Sequence, residues 1–102
     1  MTLKSKLDED LKGAMRSGDS LRRNVIRYLK SQVHNQEIAD QKELDDEGVL
    51  RVLTRQAQQR KESIRAFEDG NRADLVEKES TELEIVMEYL PQQLTSEEIR
   101  EL

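Results

Sequence analysis

Arg23, Arg27, Lys30 and His34 recur at steps of four, three and four, the spacing that sets side chains in one row along a helix. Between Gly13 and Val33 the only acid is Asp19, against Arg16, Arg22, Arg23, Arg27 and Lys30. A row of cations on one surface is what a phosphate backbone requires, because nucleic-acid affinity comes chiefly from neutralised phosphates. Arg51 and Arg55, with Arg65, lie away from the apolar face of a later helix and would extend that surface; local salt bridging to Glu62 accounts for them equally well. The aromatic residues are only Tyr28, Phe67 and Tyr89. Base stacking therefore has little to draw on, and an RNA contact here is expected to read shape and backbone rather than sequence. Phe67 is expected in the core.

A second polar group interrupts two apolar stripes. At about 100° per residue, Val49, Leu53, Ala57, Ile64 and Phe67 fall on one face with Arg60 among them, and Leu75, Leu83, Val86 and Leu90 share a face with Glu79 in its middle. A charge buried without a counter-charge is costly. The expectation is a structural ion pair between Arg60 and Glu79 that aligns the two helices. Gln56 and Ser63 flank Arg60, so the same residues also read as a small polar site.

Nothing else has the form of a reaction centre. Ser31 and His34 form an i,i+3 pair without an orienting third group or an oxyanion site. There is no cysteine and a single histidine, which excludes thiolate chemistry, sulfur-based zinc sites and a multi-histidine metal site within one chain. No phosphate-binding glycine loop is present. The sequence leads us to expect no catalytic residues, no metal and no cofactor.

These groups must be positioned by helices. Hydrophobic residues make up 34% of the 102 residues and charged ones 38%, enough apolar material for one stripe per helix but not for a core closed on all sides. One proline, four glycines and 3% aromatics suit a helical bundle. The regular spacing of the apolar residues argues against disorder, which the composition alone would allow. Thr2 is the expected N-cap of a first helix carrying Leu3, Leu7, Leu11, Ala14 and Met15, closed at Gly18-Asp19. A second helix spans about Ser20 to Ala39 with Leu21, Val25, Ile26, Leu29 and Val33 on one face. After a polar link over 40–44, Asp45 caps a third helix running to about Glu68, and Gly70 stops it. A fourth spans about Arg72 to Tyr89 and ends ahead of Pro91; Ile85 lies off its apolar face. Thr95-Ser96-Glu97-Glu98 is a capping box opening a further helix. The short links at Gly18 and Gly70 favour antiparallel neighbours. The expected fold is all-α: an antiparallel four-helix bundle-like domain over 1–94, with a fifth helix beginning near residue 95 in the segment 95–102.

The N-terminus lacks the apolar run of a signal peptide, and no stretch reaches the roughly 18 apolar residues of a membrane span; the expectation is a cytoplasmic protein with no membrane partner. Net charge is −5 and uneven. Residues 1–67 hold 14 Lys/Arg against 11 Asp/Glu, and residues 68–102 hold 3 against 11. The acidic fourth helix, with Glu77, Glu82, Glu84 and Glu88, would repel RNA and is expected to face solvent or a basic partner.

Arg22-Arg23-Asn24-Val25-Ile26-Arg27-Tyr28-Leu29-Lys30-Ser31, Gln59-Arg60-Lys61-Glu62-Ser63-Ile64, Asn71-Arg72-Ala73-Asp74-Leu75 with Lys78-Glu79, and Glu88-Tyr89-Leu90-Pro91-Gln92-Gln93-Leu94 resemble the GatB/YqeY family, in order and spacing over essentially the whole chain. Stand-alone YqeY-type members are similar to the tail domain of the B subunit of the glutamine-dependent aminoacyl-tRNA amidotransferase, and a similar domain is attached to some glutaminyl-tRNA synthetases. The resemblance implies a non-catalytic helper that contacts tRNA and serves a synthetase or amidotransferase system, the carbon–nitrogen ligase chemistry lying in other domains. Such proteins usually continue into a smaller helical C-terminal subdomain, which this chain, ending at Leu102, is expected to lack. The competing reading is a helical module for protein–protein contact or self-association without RNA, drawn from the acidic last third.

Overall fold

The computed structural model describes residues 2–91. They form four helices, α1 (Leu3–Ser17), α2 (Ser20–Asp40), α3 (Asp46–Asp69) and α4 (Ala73–Met87), with no strand among the described residues. The expected helix near residue 95 lies outside the described residues.

Local chemistry sets the boundaries. The Thr2 hydroxyl accepts from the Ser5 N–H and Ser5 returns the bond, a capping box at the start of α1. Gly18, at φ 75°, supplies the left-handed residue that closes α1, a conformation a Cβ would strain. Asp19 then caps α2 by accepting from Arg22 N–H. Asp45 caps α3 by accepting from Gly48 N–H at 2.9 Å. Gly48, which weakens the capping box in the sequence, is buried there, and a Cβ on it would meet Leu44 Cδ2 at 3.0 Å and Leu44 Cβ at 3.2 Å. At the hairpin between α3 and α4 the left-handed residue is Asn71 (φ 57°) rather than Gly70 (φ −89°). The chain past α4 tightens into i→i−3 bonds, Tyr89 N–H to Val86 O and Leu90 N–H to Met87 O, before Pro91.

The core joins Leu7 of α1, Val25, Ile26, Leu29 and Val33 of α2, Val49, Val52, Leu53 and Ala57 of α3, and Ile85, Val86 and Tyr89 from α4 and the turn beyond it. Each such side chain withdrawn from water contributes at most about 1.5–3 kcal/mol. α1 with α2 and α3 with α4 form antiparallel hairpins, and α2 and α3 each touch all three other helices, whereas α1 and α4 do not pack on each other directly. The molecule is accordingly flat, 40 × 39 × 26 Å. Instead of a helix–helix seam, the turn after α4 docks on α1: the Tyr89 hydroxyl donates to Asp10 Oδ2 at 2.5 Å, and Lys6 Nζ lies 5.5 Å from the Tyr89 ring centroid.

The apolar stripes need four corrections. Met15 and Leu21 are exposed, and Phe67 is half-buried at the outer part of the hairpin, outside the core. Ile85, expected off the apolar face, is buried. α4 packs on both α2 and α3, so its buried surface is wider than one stripe and turned toward Ile85 and Tyr89. Conversely, Lys61–Asp69 of α3 and Ala73–Glu84 of α4 contain no fully buried residue, as expected where two helices cover only each other.

Candidate functional site

Among the described residues, Lys30 is the member of the basic row of α2 that meets an acid of α1. Lys30 Nζ pairs with Asp8 Oδ1 at 2.5 Å. One turn on, Lys4 of α1 pairs with Glu37. That hydrogen bond, with a second from the Leu44 N–H, holds the Glu37 carboxyl below its usual range and raises the Lys4 ammonium. Arg27 and His34 are exposed. Arg23 is half-buried, with its Nε enclosed and meeting no acceptor. Arg23 and Arg27 thus stand one turn apart with no carboxylate partner among the described residues.

Arg51 reaches Glu47 at 3.6 Å in an exposed i,i+4 pair, worth little in water. Arg55 Nη1 donates to Gln36 Oε1 at 3.4 Å, tying α3 to α2. Neither pairs with Glu62. Arg22 makes a two-pronged contact with Glu88, at 2.8 and 3.0 Å, which raises the guanidinium pKa further and fastens the end of α4 to the start of α2. Glu88 stays exposed, as expected for the acidic face of α4, although it is tied to Arg22, whereas Glu82 is half-buried. The Ser31 hydroxyl donates to the Tyr28 carbonyl at 2.6 Å and is turned away from any role with His34. Among the described residues no cluster of acids and histidine could hold a metal, and no helix is long and apolar enough to cross a membrane.

α2 also borders a polar groove of about 390 Å³. α2 contributes Asn24, Val25 and Tyr28, α3 contributes Gln56, Gln59, Arg60 and Ser63, and α4 contributes Glu79 and Glu82. Arg60 is 8% exposed. Its Nη1 donates to Gln56 O at 3.3 Å and Gln56 Oε1 at 3.1 Å, which explains how the buried Gln56 is satisfied. The expected partner is corrected: Arg60 Nε lies 3.6 Å from Glu82 Oε1, and Glu79 takes no part. Glu82 sits roughly 60° round the helix from Glu79, and the rotation that buries Ile85 brings Glu82 inward. The Nε–Glu82 contact is ionic, without a hydrogen bond. Arg60 Cζ also lies 5.5 Å from the centroid of the Tyr28 ring, a residue 45% exposed at the rim. Glu79 is half-buried in the groove with no ion pair or hydrogen bond among the described residues. Sequence periodicity singled out Gln56, Arg60, Ser63 and Glu79 but missed Asn24, Tyr28, Gln59 and Glu82, since only packing shows which flank of α2 meets α4.

The profile of the family described as Yqey-like protein matches residues 4–102. The chain is 45% identical over 87 residues to "Altered inheritance of mitochondria protein 41, mitochondrial" of Lachancea thermotolerans, covering 84% of this chain and 46% of the relative. It is 42% identical over 84 residues to the protein of that name from Kluyveromyces lactis, covering 81% and 45%. The Saccharomyces cerevisiae protein (strain YJM789) is 36% identical over 96 residues, covering 93% and 52%. The chain thus spans about half the length of these curated relatives. Their names overturn the cytoplasmic expectation. That expectation leaned on the lack of an apolar leader, and a mitochondrial leader is amphipathic and arginine-rich rather than apolar, so its lack discriminates nothing. Matched over nearly its whole length, and at well above 30% identity to several relatives, the chain belongs to the YqeY-like protein family.

Proposed function

We propose that this chain is a non-catalytic accessory module that contacts tRNA and assists a tRNA-linked amidotransferase or synthetase system. The observation that carries the reading is the pair Arg23 and Arg27, two guanidiniums one turn apart on α2 with no carboxylate partner among the described residues, in a chain of net charge −5. Uncompensated guanidiniums are suited to phosphate. The exposed His34 continues the row, and Lys30 reaches it by exchanging Asp8 for a phosphate. By analogy with the relatives' names, the setting is mitochondrial. Bulk tRNA at low salt is the test: Arg27→Glu should weaken binding several-fold, whereas Lys78→Glu, the same charge change on α4, should have little effect. No binding at low salt, by this chain and by a chain extended to its relatives' length, refutes the reading.

A second reading, a protein-contact module, is favoured by the outer part of the α3/α4 hairpin, where Ile64, Phe67, Leu75 and Val76 are only half-covered. Sedimentation of the chain and of Phe67→Asp separates the two: concentration-dependent association lost in the variant supports it, and a monomer at every concentration removes its self-association form.

A further inference from the structure

We infer that the groove between α2, α3 and α4 is a binding site for a single unstacked guanine base, with Glu79 and Arg60 reading its edges and Tyr28 supporting its face. The inference rests on the tRNA reading for the source of the base, and on the groove alone for its chemistry.

Glu79 is the starting point. A carboxylate half-buried between two helices ordinarily has a counter-charge, but Arg60, the cation that shares the groove, gives Nε to Glu82 and Nη1 to Gln56, which leaves its Nη2 rather than a Glu79 pair for a ligand. Glu79 therefore faces the groove with both oxygens free to accept. One guanidinium with two carboxylates gives the groove a net charge of −1, so a phosphate is disfavoured there. The complement is a neutral group with two adjacent donors for a carboxylate and an acceptor for a guanidinium. Among the four RNA bases only guanine has both: N1–H and N2–H on one edge, and the O6 and N7 acceptors that arginine recognises. Adenine and cytosine each set an acceptor beside their donor, and uracil flanks its single N–H with carbonyls, so each turns lone pairs toward Glu79. The ring of the exposed Tyr28, backed by the Arg60 guanidinium 5.5 Å away, supplies the flat support that unstacked RNA bases use. The groove, about 390 Å³, falls in the range of small-molecule sites, roughly 300–1,000 Å³.

The test is an amide-resolved NMR titration of the chain with guanosine, adenosine, cytidine and uridine 5′-monophosphates, with L-arginine amide as a protein-side-chain mimic. Guanosine monophosphate should shift Asn24, Tyr28, Gln59 and Ser63 at millimolar concentration, and the other nucleotides should bind roughly tenfold or more weakly. Glu79→Gln, which removes no contact that the fold uses, should lose guanosine selectivity while melting as the parent does. Tyr28→Ala should weaken binding and Tyr28→Phe restore it. Equal shifts with all nucleotides, no shifts, selectivity unchanged in Glu79→Gln, or a response to L-arginine amide alone would each overturn the inference. Bulk tRNA bound equally by parent and Glu79→Gln, with no guanosine response, leaves the tRNA reading standing and removes the groove; a guanosine response without tRNA binding does the reverse.

Discussion

Replacing Arg60 with methionine keeps most of the aliphatic stem and removes the charge. The Arg60 side chain is 10% exposed and that of Glu82 is 16%, with Nε and Oε1 3.6 Å apart. At an effective dielectric of about 20 the gross attraction at that distance is about 4–5 kcal/mol, and desolvation of both groups offsets most of it. A net coupling of about 1–2 kcal/mol remains. Arg60→Met also strips the Nη1 bonds from Gln56, itself 3% exposed, which adds about 1–2 kcal/mol for a buried acceptor left unpaired. The single variant should therefore lose about 2–4 kcal/mol, a large share of a small domain's stability. Glu82→Leu should be costly alone and cheaper when combined with Arg60→Met. Urea unfolding of the four proteins, read as midpoint shifts at constant slope, gives the coupling. A second cycle pairing Arg60→Met with Glu79→Leu should return coupling under about 0.5 kcal/mol. The reasoning fails if the Glu82 cycle shows no coupling, or if the Glu79 cycle shows as much.

Three further outcomes follow from the contacts. Tyr89→Phe should cost only about 1 kcal/mol, since Asp10 keeps Lys6 as a partner. Burial, then the Asp10 hydrogen bond, pushes the Tyr89 phenol above its ordinary 10.0. Its contribution is therefore full below pH 10.0 and is lost as pH rises above that; the melting difference between parent and Tyr89→Phe should shrink through the alkaline range and not in acid. Glu37 is held below its ordinary 4.5 chiefly by its hydrogen bond with Lys4, so its contribution is present above 4.5 and lost as pH falls through the folded value; the gap in urea midpoint between parent and Glu37→Gln should be full at neutral pH and narrow as pH is lowered beyond 4.5. Gly48→Ala gains helix propensity but drives a Cβ to within 3.0–3.2 Å of Leu44, and should lose about 1 kcal/mol net in the same unfolding assay.

The helices and their caps were legible because they are local: Thr2, Gly18 and Asp45 act within a few residues of themselves. The misfit charges Arg60 and Glu79 were legible as misfits, since periodicity exposes a charge among apolar neighbours. Their pairing was not. It depends on the rotation of α4, and that rotation is set by its simultaneous packing on α2 and α3, which buries Ile85 and brings Glu82 rather than Glu79 to the guanidinium. The basic row on α2 was placed correctly along its helix, but the sequence could not show that Asp8 of α1 would face Lys30. Tyr28, passed over as one of few aromatics, proves to be exposed at the rim of the Arg60 groove, a position created by three helices distant in sequence.

The tRNA reading is tested most directly by the salt dependence of bulk tRNA binding by the unmodified chain. With Arg23 and Arg27 as the principal phosphate contacts, the logarithm of affinity should fall against the logarithm of salt with a slope of about −1.5 to −2, and Arg27→Glu should reduce that slope by about one. Undetectable binding at the lowest salt, or an affinity that does not change with salt, would contradict the account.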